Sequence, residues 1–89
     1  MKHLSVRISG KVQGVFFRAS AKVQAEKLGI CGFVRNEPDG DVYAEAEGED
    51  VPLKEFLTWC SLGPPHAVVT NVTSHEGALK KFDSFVVLR

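Results

Sequence analysis

The sequence predicts an α+β protein in which two helices pack on one face of a mostly antiparallel sheet. Five segments have a strand-like composition or alternate polar and apolar residues, and two segments carry an apolar stripe at helical spacing. These segments follow one another in the order βαββαββ with short connections between them. Such an order favours neighbouring antiparallel strands and helices that share one side of the sheet.

The first strand and the first helix are predicted from a change of period. Residues 3–9 alternate between polar and apolar, which indicates a half-buried strand. From Phe17 onward the period becomes helical, with Phe17, Ala21 and Leu28 on one face. Gly29 is a natural stop after a helix, so we expect the helix to run from about Phe17 to Leu28.

A β-hairpin is predicted after this helix. Residues 32–36 form its first strand, the Pro-Asp-Gly sequence at 38–40 is a turn signal, and residues 41–47 alternate again. One face of the second strand carries Val42, Ala44 and Ala46. We expect the other face, with Glu45 and Glu47, to be exposed to solvent rather than to form a functional carboxylate pair.

The second half of the chain is predicted to complete the core. We expect Asp50 to cap the second helix, whose apolar stripe recurs at helical spacing until the Gly-Pro-Pro break at 63–65. Trp59 lies beside the stripe and is predicted to be half-buried. Residues 67–74 are rich in valine and threonine and predict a fourth strand, and residues 84–88 predict a short final one.

Length and composition indicate one ordinary globular domain spanning residues 1–89. Eleven basic and eleven acidic residues give a net charge of zero, and this balance argues against non-specific nucleic-acid binding. No run of 18 apolar residues and no signal-peptide pattern occur, so we expect a cytoplasmic protein. The two cysteines, Cys31 and Cys60, are predicted to be reduced and largely buried.

The segment from Gly10 to Arg18 is the most informative part of the chain. It joins the first strand to the first helix, yet it contains no Ser, Thr, Asp or Asn to cap that helix, and it places an arginine in the first turn. Both features are unfavourable for a bare helix N-terminus and favourable for one that binds an anion. The alternative is an ordinary loop with a surface arginine, since a single glycine loop is weak evidence.

Asn36 is predicted to lie close to Arg18. The first helix covers roughly 18 Å and the following strand returns roughly 20 Å, so Asn36 finishes near the level at which the helix began. A carboxamide next to an anion site can hold a water molecule or a substrate oxygen. The alternative is that Asn36 only caps the turn that follows it.

At these residues the chain resembles the acylphosphatase family. Residues 10–18, Gly-Lys-Val-Gln-Gly-Val-Phe-Phe-Arg, are similar to the family's phosphate-binding signature, and residues 32–36, Gly-Phe-Val-Arg-Asn, to its second signature. The resemblance extends from about residue 4 to residue 89. Two motifs at matching spacing are far more specific than a lone glycine loop.

The resemblance implies a ferredoxin-like βαββαβ sandwich with an extra final strand, and hydrolysis of acyl phosphates to a carboxylate and inorganic phosphate. It implies that Arg18 binds the phosphate and that Asn36 orients the attacking water. The loop whose amides hold the phosphate would consist of Gln13, Gly14, Val15, Phe16 and Phe17. Asp41 stands where some relatives carry threonine, and its carboxylate is expected to weaken anion binding.

Other functions are weaker on the residues alone. No His or Cys pair has the spacing of a zinc site, so we expect no metal and no cofactor. A sheet that binds RNA needs exposed aromatic residues among basic ones, whereas Tyr43 lies near Glu45 and Glu47 on its strand. A phosphate sensor without turnover stays open. We expect a monomer whose partners are a small acyl phosphate and inorganic phosphate, with no nucleic acid and no membrane.

Overall fold

The chain forms seven elements in the predicted order in a computed structural model that describes residues 1–89. The strands are β1 (Lys2–Lys11), β2 (Cys31–Asn36), β3 (Val42–Gly48), β4 (Val68–Gly77) and β5 (Phe85–Val87), and the helices are α1 (Phe17–Lys27) and α2 (Asp50–Leu62). The predicted set of elements is confirmed. The largest error in a boundary is at β4, which continues to Gly77 rather than ending at Ser74.

The strands form one sheet in the order β4-β1-β3-β2-β5, and only the β2–β5 pair is parallel. The predicted mostly antiparallel sheet with a short extra strand is therefore confirmed. Because β3 is antiparallel to both β1 and β2, those two strands run in the same direction, and β5 runs with them. The carboxyl ends of β1, β2 and β5 consequently lie at the same edge of the sheet.

The hydrophobic core lies between the sheet and the two helices. Each helix buries one stripe, which in α1 is Phe17, Ala21 and Ala25 and in α2 is Leu53, Phe56 and Cys60. The alternating apolar side chains of the strands meet these stripes, as the period of two predicts. The strand residues of the core include Val6, Ile8, Val34, Val42, Ala44 and Ala46.

The opposite face of the sheet is partly covered, and the expectation that Glu45 and Glu47 face solvent is wrong. Their exposed fractions are only 6% and 2%. The segment between β4 and β5 crosses this face, where the backbone N–H groups of Lys80 and Phe82 both donate to the Glu47 carboxylate. Lys80 Nζ also donates to Glu45 at 2.8 Å, and the His3 ring contacts Glu47 at 2.7 Å. These partners come from distant parts of the chain, so no local pattern announces them.

These contacts set the charge of the two carboxyl groups. Burial alone raises the pKa of a carboxyl group, because it disfavours the ionised form. For Glu45 the hydrogen bonds from Lys80 and Tyr43 outweigh burial, and the pKa is lowered. For Glu47 the N–H groups of Lys80 and Phe82 and the His3 ring do the same, so its pKa is also lowered. Both side chains are therefore held as carboxylates inside the protein.

Tyr43 has basic as well as acidic neighbours on this face, which its own strand does not reveal. Arg7 and Arg35 lie beside it across the strand pairs, with guanidinium carbons 5.8 and 4.8 Å from the ring centroid. Both arginines pair with Glu37, and Arg7 also pairs with Asp39 and Asp41. The positive charge around Tyr43 is thus compensated by the carboxylates of the β2–β3 turn.

Three smaller predictions meet mixed outcomes. Asp50 does not cap α2: Glu49 occupies the N-cap without a side-chain hydrogen bond, and Asp50 instead pairs with Lys2 at 3.0 Å. Both cysteines are free, but only Cys60 is buried, and burial raises its pKa to about 12, whereas Cys31 is partly exposed. Trp59 is half-buried against Phe17, as predicted.

Neither helix has the length and hydropathy needed to cross a lipid bilayer.

The Glu47 contacts predict how stability depends on pH. Because the folded-state pKa of Glu47 lies below its ordinary value of 4.5, its contribution is fully present above that value and is lost as the pH falls through the folded pKa. Glu47→Gln is expected to lower the free energy of unfolding at neutral pH by about 1.5–3 kcal/mol. It should also flatten the loss of stability below that value. Urea unfolding at several pH values measures both effects.

The control for this experiment is Glu55→Gln, which changes an exposed glutamate on α2. It is expected to keep the stability and the pH dependence of the wild type. If the free energy of unfolding of Glu47→Gln falls with decreasing pH as steeply as that of the wild type, Glu47 is not the source of this pH dependence.

Candidate active site

A cavity of about 290 Å³ opens at the sheet edge where β1, β2 and β5 end. Most of its lining comes from the segment after β1 and the first turn of α1, namely Val12, Gly14, Phe16, Phe17, Arg18 and Ala19. Asn36 from the end of β2 and Val87 from the end of β5 complete it. The topology thus gathers residues that are far apart in the chain.

The exit of the chain from β1 requires Gly10. The pairing of β1 with β4 shifts register between Ser9 and Gly10, and Gly10 has a φ of 122°. A Cβ atom at this position would lie only 2.1 Å from the carbonyl oxygen of Val68. The backbone of β4 therefore approaches so closely that only glycine fits, and the bulge redirects the chain into the loop.

The N-terminus of α1 has no cap from a side chain. Phe16 occupies the N-cap position with a left-handed backbone, and no side chain accepts a hydrogen bond there. The first hydrogen bond of the helix is donated by Ser20 to the carbonyl oxygen of Phe16 at 3.0 Å. No turn or loop hydrogen bond uses a backbone N–H of residues 13–19 as donor. These N–H groups, together with the helix dipole, favour an anion at this point.

Arg18 lies at the second position of α1 and lines the cavity. Its Nη1 atom donates a hydrogen bond to the carbonyl oxygen of Leu88, just beyond β5, at 2.9 Å. This contact holds one end of the guanidinium against the chain terminus. A guanidinium has five N–H donors, so others stay free for an anion.

Asn36 lines the same cavity as Arg18, which agrees with the estimate from element lengths. The alternative role as a turn cap finds no support, because other groups close the turn. Glu37 N–H donates to the Asp41 carbonyl at 2.8 Å, Gly40 N–H donates to the Glu37 carbonyl at 3.1 Å, and Asp41 N–H donates to the Asp39 carboxylate at 3.0 Å. The carboxamide of Asn36 is not used in any of these contacts.

The five predicted loop residues do not behave alike. Gly14, Phe16 and Phe17 line the cavity, whereas Gln13 and Val15 do not, and the Val15 side chain is buried. Gln13 faces the β2–β3 turn, and its Nε2 donates to the carbonyl oxygens of Glu37 at 2.8 Å and Asp41 at 2.9 Å. Its side chain therefore ties the loop to the turn that follows Asn36.

Sequence reasoning missed three residues of the cavity, Val12, Ala19 and Val87. Ala19 follows Arg18 in the first helical turn, so the motif already pointed to its neighbourhood. Val12 lies inside the motif of residues 10–18 but not among the five predicted loop residues, whereas no local signal marks Val87 at the end of β5. Only the parallel pairing of β5 with β2, in which Val87 lies opposite Val34, brings Val87 beside the site.

The electrostatics of the site are simple. Arg18 is the one charged side chain among the eight residues that line the cavity, and none of the eight is a carboxylate, an imidazole or a thiol. The Asp41 carboxylate pairs with Arg7 at 3.2 Å and is not part of the lining. Such a site can hold a phosphoryl group and spread its charge over donors, but the lining supplies no acid for a poor leaving group.

Comparison with known proteins gives a consistent result. A family model described as acylphosphatase matches residues 4–87. An acylphosphatase from Methylococcus capsulatus is 47% identical over 90 residues, which cover 100% of this chain and 98% of the relative. One from Rubrobacter xylanophilus is 52% identical over 75 residues, covering 84% of this chain and 68% of the relative. The crystal structure of acylphosphatase from Bacillus subtilis superimposes with a TM-score of 0.97 at 31% identity, covering 100% of both chains.

The fold is thus the ferredoxin-like α+β sandwich that the resemblance implied. The chain belongs to the acylphosphatase family, a family of hydrolases. The expected family, fold class and enzyme class are therefore confirmed.

The Gln13 hydrogen bonds predict that the loop after β1 becomes less firmly held when this side chain is removed. Gln13→Ala removes both hydrogen bonds to the turn and is expected to lower the free energy of unfolding by about 1–2 kcal/mol. It should also weaken the binding of inorganic phosphate, because the loop amides lose their fixed position. Urea unfolding and calorimetric titration with phosphate measure the two effects.

Gln24→Ala, the same substitution at a half-buried position of α1 outside the cavity, is the matched control and should change neither quantity. Phosphate affinity in Gln13→Ala equal to that of the wild type would exclude a positioning role.

Proposed function

We propose that this protein hydrolyses acyl phosphates by holding the phosphoryl group on Arg18 and the backbone N–H groups of the loop from Gln13 to Phe17, with Asn36 orienting the attacking water. The observation that carries the proposal is the cavity itself. One guanidinium, the uncapped start of α1 and one carboxamide line it together, with no acidic or nucleophilic side chain among them.

Binding precedes chemistry in this proposal. The phosphoryl oxygens accept hydrogen bonds from the unused N–H groups at the start of α1 and from the free donors of Arg18. The hydrogen bond from Arg18 to Leu88 fixes the guanidinium before the substrate arrives. A group that is already oriented loses little freedom on binding and keeps the phosphorus in line with the water.

The leaving group explains the reaction class. Water attacks phosphorus, a new O–P bond forms, and the bond between phosphorus and the acyl oxygen breaks to release a carboxylate. A carboxylate is stable without a proton, so the absence of an acid from the lining does not hinder this step. The alkoxide of an ordinary phosphate monoester needs that proton. The site therefore favours mixed anhydrides over esters.

Asn36 acts as an orienting residue. Its carboxamide can donate to and accept from the same water molecule, but it is a poor base. The water's proton therefore passes to a phosphoryl oxygen of the substrate and leaves with inorganic phosphate. Metal-independent hydrolysis follows from this scheme, since every charge that develops is opposed by Arg18 or by a backbone N–H group.

We also propose that the protein acts as a single-domain monomer in the cytoplasm, with no nucleic acid as partner. Arg18 and Asn36 already line one cavity within a single copy of the chain, so the proposed site needs no residue from a second copy. Cys31 and Cys60 are both free thiols, which suits a reducing compartment. The basic residues around Tyr43 are paired with carboxylates, which disfavours phosphate-backbone binding on that face.

The test compares two substrates and one variant. The wild type is expected to hydrolyse benzoyl phosphate, to leave p-nitrophenyl phosphate intact, and to keep its rate in EDTA. Arg18→Ala should lose phosphate binding and most activity with an unchanged far-UV circular dichroism spectrum. Arg35→Ala, which removes a guanidinium outside the cavity, is the control and should retain the rate.

Each other outcome has a distinct meaning. Normal turnover of benzoyl phosphate by Arg18→Ala removes Arg18 from the mechanism. Activity that disappears in EDTA and returns with a metal ion overturns the metal-independent reaction. Phosphate binding without hydrolysis of either compound identifies a sensor rather than an enzyme.

A separate prediction concerns Asn36. Asn36→Ala is expected to lower kcat by about 10²–10³, the scale for losing one positioned donor, with a much smaller change in phosphate affinity. Asn71→Ala, at an exposed position on β4, is the control and should match the wild type. If phosphate affinity collapses while kcat is preserved, Asn36 is a binding residue instead.

A further inference from the structure

Phe16 is an unusual residue for its position. It is 79% exposed, whereas its neighbour Phe17 is 2% exposed, yet both line the cavity. Its φ of 64° lies in the left-handed region, which is unfavourable for a residue with a bulky side chain. Glycine or asparagine would adopt this backbone at lower cost. A solvent-exposed aromatic ring on a strained backbone is therefore unfavourable for stability. Such strain is found at functional sites.

The cavity offers few polar or charged contacts to the acyl half of the substrate. Arg18, its only charged side chain, is committed to the phosphoryl group. The accessible apolar lining consists of the Phe16 ring, Ala19 and Val87, of which Val87 is 39% exposed. A second negative charge on the acyl half would find no cation here, while an apolar acyl group would cover surface that is now in water.

The geometry of the reaction directs the acyl group outward. The attacking and leaving oxygens lie on opposite sides of phosphorus in an in-line displacement. Asn36, which orients the water in the proposed function, is half-buried at the end of β2. The acyl group is therefore placed on the side of the cavity away from Asn36, and Phe16 is the most exposed large apolar side chain in the lining.

We propose that Phe16, together with Ala19 and Val87, forms the binding subsite for the acyl group and selects neutral, apolar acyl groups, aromatic ones above all. This inference rests on the proposed function, since the acyl group is defined only relative to a bound phosphoryl group. Phe16 is then a specificity-determining residue, and the strain of its backbone serves to present the ring at the mouth of the site.

The test uses benzoyl phosphate and acetyl phosphate, which share the phosphoryl group and differ in the acyl group. The wild type is expected to have a higher kcat/KM for benzoyl phosphate. Phe16→Gly suits the left-handed backbone, keeps the backbone N–H and adds no side chain that could cap α1. It should lower that value about tenfold, the scale of a lost apolar contact, and change the value for acetyl phosphate by less than about twofold. Phe16→Leu should keep most of the preference.

A control variant and a binding measurement make the result specific. Val23→Asn changes an exposed apolar residue on α1 that is outside the cavity, 49% exposed, and should leave both substrates unaffected. Binding of phenylphosphonate and methylphosphonate gives a readout without turnover. The wild type should bind phenylphosphonate more tightly, and Phe16→Gly should remove that difference while binding of inorganic phosphate stays unchanged, because the backbone N–H groups at the start of α1 are kept.

The outcomes separate this inference from the proposed function. Equal loss on both acyl phosphates in Phe16→Gly, or no loss on either, overturns the subsite and leaves the hydrolase assignment intact. A wild type that hydrolyses neither compound overturns the hydrolase assignment. In that case the subsite is tested by the binding of the two phosphonates alone. Tighter binding of phenylphosphonate that depends on Phe16 supports the subsite, and equal binding of the two phosphonates refutes it.

Discussion

The start of α1 concentrates unpaired backbone N–H groups and the Arg18 guanidinium at one point, and both are stabilised by a negative charge opposite them. The neighbouring structure is arranged around this condition. Gly10 turns the chain out of β1, the segment after it carries no side chain that could cap the helix, and Phe16 ends it on a left-handed backbone. A conventional N-cap would satisfy the helix and remove the site. The phosphate binding that we propose therefore depends on a helix end without a side-chain cap.

The direction of the strands supplies the rest of the site. β1, β2 and β5 run in the same direction, so the loop after β1, Asn36 after β2 and Val87 at the end of β5 meet at one edge of the sheet. The hydrogen bond from Arg18 to Leu88 spans 70 residues of sequence. A strand of only three residues thus contributes Val87 to the wall of the cavity, and the residue directly after it, Leu88, anchors the arginine.

The face of the sheet opposite the helices also supports the site, although it lies outside it. Glu47 accepts hydrogen bonds from the backbone of Lys80 and Phe82, in the segment that leads directly into β5. Glu45 holds the Lys80 side chain in the same segment. These buried carboxylates hold the segment that leads into β5, the strand that carries Val87. A polar cluster that has no part in the chemistry thereby helps to position a residue that lines the cavity.

The sequence by itself determined the secondary-structure elements and identified the residues that we propose for phosphate binding. Both are encoded locally, in periods of two and 3.6 residues and in the spacing of Gly10, Gly14, Arg18 and Asn36. It could not determine what covers a strand face, because the same alternation describes a solvated glutamate and a buried one whose partner lies over 30 residues away, as for Glu45 and Lys80. Nor could it find Val87 or the turn contacts of Gln13, since these arise only when strands pair. Tertiary structure decided them because hydrogen bonding and burial act between residues that the sequence keeps apart.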